Sequence, residues 1–147
     1  MFARYISITV AIASAITLGY VLHTQAVEPQ PGPYTWTPLL QARQSWYGEP
    51  YEYYPNGQPE LTIKKFVIAA NTELPWHLHP VPSAAYIISG TLTVESQDGT
   101  VRKVFKPGEA LASPVNILHR GVSGDQPVEL VVFYAGTPDM PTVKIEK

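Results

Sequence analysis

Fifteen prolines and ten glycines punctuate a chain of 147 residues. Proline fixes φ and removes a backbone donor, so it breaks helices; glycine weakens them and favours tight turns. From residue 40 onward no segment sustains a long apolar period of 3.6 residues. The runs between the breakers are short and rich in Val, Ile, Thr, Tyr and Phe: Leu61 to Ala69, Ala85 to Ser89, Thr91 to Ser96, Thr100 to Phe105 and Val128 to Tyr134. That composition predicts strands. Pro55-Asn56-Gly57, Ser89-Gly90, Asp98-Gly99 and Pro107-Gly108 fall between runs and predict turns. Many short strands at close spacing predict an all-β sandwich or barrel, which limits the edges open to aggregation.

The first residues obey a different pattern. Arg4 is the one charged side chain before Glu28, and an apolar stretch runs from Tyr5 to Leu22. Small residues Thr24 and Ala26 follow at the spacing of a cleavage site. Residues 1–26 are therefore expected to be a signal peptide cut after Ala26 or, if retained, a membrane anchor helix, since about 20 apolar residues span a bilayer. Both readings place the body outside the cytoplasm, in the periplasm or beyond the cell, and only residues 1–26 would touch a membrane. Residues 27–40 carry Pro29, Pro31, Pro33 and Pro38 and predict a stiff, extended lead-in. Residues 41–147 are expected to form one domain, large enough to bury a core without staples. With a net charge of −2, nothing suggests nucleic acid or an anionic membrane surface as a partner, and no nucleic acid is expected. With no cysteine, thiol catalysis, Cys-ligated zinc and disulfides are excluded.

Four histidines are present, and His23 lies in the leader. The body keeps only His77, His79 and His119. On a strand His77 and His79 face the same way, so both can reach one metal ion. The spacing alone does not bring His119 to them. The segment around them, however, reads Asn71, five residues, His77-Leu78-His79, three residues, Ser83, six residues, Gly90. A second stretch reads Gly108, five residues, Pro114, one, Asn116, two, His119, three, Ser123, and 17 residues separate the two. Together they resemble the two motifs of the cupin superfamily. In that pattern Asn71 and Asn116 stand where the family has glycine, Ser83 where it has the metal-binding glutamate, and Ser123 where it has asparagine. The resemblance implies a small jelly-roll barrel, the cupin double-stranded β-helix, with the metal inside. It also implies a three-histidine site, because a serine hydroxyl is a poor ligand, and it raises the expectation of a homodimer.

Three neutral imidazoles suit Fe, Mn, Ni, Cu or Zn as one divalent transition metal and leave coordination positions open. They do not offset the metal's charge, so an enolate, catecholate or carboxylate is the expected small-molecule ligand. The expected function is a non-haem dioxygenase acting on a small organic substrate. The alternatives are a cupin that binds metal or ligand without turnover, and a cupin-type isomerase. Glu73 has the strand parity of His77 and His79, so an unbroken strand would turn it to the same face as a distal ligand or a catalytic base; Pro75 stands between them. Tyr86, Trp76 and Arg120 are expected to pack away from the site. The aromatic segment Trp46 to Tyr54 is expected to pack on the barrel or on a second subunit rather than to wall the pocket.

Overall fold

The computed structural model describes residues 32–146. The expected leader or anchor over residues 1–26 lies outside the described residues. Residues 32–40 are exposed and carry neither strand nor helix.

Nine strands follow: β1 Glu60–Ile68, β2 His77–Leu78, β3 Ser83–Ser89, β4 Leu92–Ser96, β5 Arg102–Phe105, β6 Ala110–Ser113, β7 His119–Ser123, β8 Val128–Gly136 and β9 Lys144–Ile145. No helix forms among the described residues. One sheet has the order β1-β8-β3-β6 and the other β5-β4-β7-β2-β9. Every strand pair is antiparallel. The sheets pack face to face, and alternation decides what lies between them. On β3, Ser83, Ala85 and Ile87 are buried while Ala84 and Tyr86 are partly exposed; on β8, Val128, Leu130, Val132 and Tyr134 point in. Tyr86 thus packs on the outer side, as its parity predicts.

The five runs read from composition are all strands, with shifted ends. β5 starts at Arg102 rather than Thr100 because the Asp98 side chain holds the turn: its Oδ1 accepts from the Thr100 amide at 3.0 Å and from the Thr100 hydroxyl at 2.8 Å. Four strands carried too little compositional signal. β6 reads Ala-Leu-Ala-Ser and β7 contains Arg120 and Gly121, while β2 and β9 have two residues each.

The motif positions have backbone reasons. Asn71 and Asn116 sit at φ 53° and 57°, in the left-handed region that glycine enters freely and asparagine tolerates best among other residues. Ser123 takes over the role of a turn clamp: its hydroxyl accepts from the Thr72 amide at 2.8 Å and donates to the Ala69 carbonyl at 2.6 Å. Gly90 sits at φ 75°, and a Cβ there would lie 2.2 Å from the Pro127 carbonyl oxygen. Neither backbone can yield without shifting the start of β8. Gly90→Ala is therefore expected to destabilise the fold by more than about 2 kcal/mol. A lowered urea midpoint with an unchanged m-value is the expected reading; an unchanged midpoint would contradict the close approach.

Candidate metal centre

The two inner faces do not meet everywhere. A cavity of about 280 Å³ remains between them, with apolar walls that include Phe66, Ile68, Leu130 and Val132. His77, His79 and His119 line it. β2 and β7 pair so that His77 lies directly across from His119. His79 follows just beyond β2 and bridges to Val115. Ring centroids are 5.2 Å apart for His77 and His79, 4.7 Å for His77 and His119, and 5.0 Å for His79 and His119. The candidate ligand nitrogens lie within 4.8 Å of one another, so the three residues could hold one metal ion. Among the described residues they are the one group of three or more such side chains placed to do so.

The backbone fixes which nitrogen faces the centre. His77 Nδ1 is 2.8 Å from the Pro75 carbonyl, His79 Nδ1 is 2.8 Å from the Thr142 carbonyl, and His119 Nδ1 is 2.8 Å from the Ile117 carbonyl. A carbonyl only accepts, so each Nδ1 carries the proton and donates it. Each Nε2 is left with its lone pair, as metal ligation requires. Trp46 adds an edge-to-face contact with His119, at 5.7 Å between centroids.

Burial keeps these rings neutral. Desolvation lowers the pKa of His79 to about 4 and that of His119 to about 3, and it lowers His77 as well. The unfolded chain takes up these protons near pH 6.5, whereas the metal-free fold refuses them until pH 3–4. The unfolded state therefore binds more protons in that window, and stability falls as pH falls. The expected slope is about 1 kcal/mol per pH unit for each of His79 and His119. Urea unfolding of metal-free protein between pH 7 and 4 measures it. The double variant His79→Asn, His119→Asn should lose this part of the slope, and an unchanged slope would refute the assignment.

The structure does not bring Glu73 to the cluster. Leu74, Pro75 and His77 line the cavity, so strand alternation breaks at Pro75, and the parity that joined Glu73 to the histidines fails there. The Glu73 carboxylate instead pairs with Arg120, on the outer side. Arg120 also bonds Glu95 at 2.6 Å, and its guanidinium lies 4.5 Å from the Trp76 ring. Arg120 and Trp76 thus face away from the site, as expected, whereas Glu73 does so against expectation.

The site gains residues that the sequence reading did not choose. Trp46 is 5% exposed and lines the cavity, while Tyr53 and Tyr54 of the same aromatic segment are 76% and 73% exposed. Pocket wall and surface are therefore divided within one segment. Tyr134 also lines the cavity, 5.5 Å from the His79 ring. Its alternation with Val132 on β8 was the available signal.

A family model described as a cupin domain matches residues 64–134, which span β1 to β8 and all three histidines. Residues 64–134 are therefore a cupin domain. Solved structures give the same fold. The DMSP lyase DddQ from Ruegeria pomeroyi DSS-3 is similar at 20% identity with a TM-score of 0.52, over 58% of this chain and 42% of that one. The polyketide cyclase RemF from Streptomyces resistomycificus is similar at 23% identity and a TM-score of 0.50, over 59% and 61%. A cupin-like protein from Thermotoga maritima msb8 is similar at 14% and 0.50, over 58% and 64%. This chain thus matches less than half the length of the lyase and under two thirds of the other two. No curated protein sequence gives a significant match.

Proposed function

We propose that this chain is a metal-dependent enzyme of the dioxygenase type, with one divalent transition metal held by Nε2 of His77, His79 and His119. The observation that carries the reading is the set of three Nδ1–H bonds to backbone carbonyls, which presents three neutral donors to one point. When bound, the metal supplies Lewis acidity, and redox chemistry if it is iron, manganese or copper, with positions left open for a ligand. The rest follows from the chain's own residues. The apolar walls exclude water and strengthen attraction between the centre and an anionic substrate. No Asp or Glu lines the cavity, and burial raises Tyr134 to about 12, so it is a poor base at neutral pH. With all three imidazoles engaged by the metal, that disfavours an isomerase, which must take a proton from carbon. A dioxygenase acting on an enolate or catecholate needs no such base. Both atoms of dioxygen enter the products as one carbon–carbon bond and the O–O bond break, and the substrate is itself the reductant. The similarity to a lyase and a cyclase agrees with a small organic substrate but extends neither activity to this chain.

Elemental analysis and oxygen uptake test the reading together. Protein reconstituted with Fe(II) should take up oxygen with an enol or catechol panel, and chelation should abolish the uptake. Near-stoichiometric metal without uptake across the panel would favour the second reading, a binding module without turnover, which the lack of a lining carboxylate also suits. Export and dimerisation belong to the proposal too. N-terminal sequencing after fractionation tests the first. Sedimentation tests the second, for which the outer face of β1, with Leu61, Ile63 and Val67 each about 70% exposed, offers an apolar surface.

A further inference from the structure

One lining residue is charged. Lys64 lies on β1 two residues before Phe66, and both share the inward parity of Ile68. Lys64 is exposed while it lines the cavity, so its head stands at the open side, within reach of water and of an anion entering from solvent. No carboxylate lies within ion-pair distance of Lys64 among the described residues, whereas the adjacent Lys65 points outward and pairs with Glu129. The Lys64 ammonium is held in place by other means. It donates to the Thr142 hydroxyl at 2.6 Å and lies 5.6 Å from the centroid of the Tyr134 ring. One of its three N–H donors is thereby used and two remain. Thr142 also accepts from His79 through its carbonyl, so one residue of the C-terminal segment fixes both the lysine and a histidine of the cluster. Tyr134 stands between them, 5.5 Å from the His79 ring, so cation and cluster are separated by about the width of one aromatic side chain.

We infer that Lys64 is the specificity-determining residue of the cavity: it binds the distal carboxylate of a small organic acid whose other end reaches the histidine cluster. The inference rests on the proposed metal site for the proximal end of the ligand. It does not rest on it for the distal end. The ligand class is a short dicarboxylate, or a carboxylate with a second donor such as an enol, with an apolar middle lying against Phe66, Val132 and Tyr134. A neutral ligand gains nothing from the ammonium, and a cationic one is repelled by it.

Calorimetric titration of the full chain loaded with Zn(II) tests this with succinate, glutarate and adipate against butanoate, which lacks the distal carboxylate. The best-fitting dicarboxylate should bind wild-type protein roughly threefold to fivefold tighter than butanoate, the size of one solvent-exposed charge pair. Lys64→Met should erase that advantage. Lys64→Arg should keep most of it, and Lys65→Met all of it. Zinc content, measured on the same samples, should be equal in all four proteins. An advantage that survives in Lys64→Met, or no advantage in wild type, overturns the inference. If zinc does not bind, the metal reading fails separately, and butanoate is compared with butanamide on metal-free protein. There Lys64 should still favour the anion, and Lys64→Met binding both alike is the expected result; equal binding by wild type overturns the inference in that arm too.

Discussion

His119→Ala is expected to take the metal content of the purified protein from near one per chain to near zero. The residue is 4% exposed, sits opposite His77 across the β2–β7 pair, and is oriented by the Ile117 carbonyl. A four-ligand zinc site is worth roughly 10–16 kcal/mol, so one nitrogen ligand accounts for about 3 kcal/mol, or a factor on the order of 100 in affinity. Losing one of three ligands leaves a pair too weak to survive purification against a chelating buffer. The substitution removes no charge, because the ring is neutral at pH 7, and it leaves β7 its backbone ladder. Folding is therefore expected to persist, with a loss of packing against Trp46. Inductively coupled plasma mass spectrometry beside circular dichroism separates the two effects. A folded variant that still carries a full equivalent of metal would sink the three-histidine site, and His77→Ala and His79→Ala should behave alike.

Much of this site was legible before any coordinates, for reasons that can be named. Alternation along a strand has one period, so His77 and His79 could be assigned to one face and Tyr86 to the face opposite Ser83 and Ala85, as β3 has them. Asn71 and Asn116 were legible as stand-ins for glycine because few residue types tolerate positive φ, and both have it. What failed was alternation carried through a proline. Glu73 keeps the parity of His77 on paper, yet the chain turns Leu74 and Pro75 inward together, and the carboxylate goes to Arg120. Long-range partners were also out of reach. Lys64 and Thr142 are 78 residues apart, and nothing in either segment announces that they share a hydrogen bond. Trp46 was legible as an aromatic that packs, but its place against His119 depends on a loop whose amide bonds the Ala112 carbonyl, at 2.8 Å. Such contacts come from the closure of the barrel, not from any local pattern.

Ser83→Glu is the substitution expected to gain rather than lose. Ser83 is 5% exposed on β3 and lies across from Ser113 on one side and Tyr134 on the other, both of which line the cavity. Its own hydroxyl is buried without a partner, so replacing it breaks no hydrogen bond. A glutamate there projects from the same strand face as Ala85, which lines the cavity. Without metal, a carboxylate in this apolar space is costly, and the variant should be several kcal/mol less stable at neutral pH than wild type. With metal, the same carboxylate becomes a fourth ligand and offsets one positive charge. That adds about 3 kcal/mol of binding, so affinity should rise on the order of 100-fold. Binding to the fold alone stabilises it, so the melting temperature of the variant should depend on metal far more steeply than that of wild type. The gain has a predictable counterpart at Lys64. A centre already neutralised in part attracts an anion less, so dicarboxylate binding should weaken even though Lys64 is intact. Thermal melts across a metal titration, paired with the glutarate titration, measure both. A variant whose melting responds to metal no more than wild type does would show that Ser83 is not aimed at the cluster, and the resemblance of that position to the missing glutamate would then be one of sequence alone.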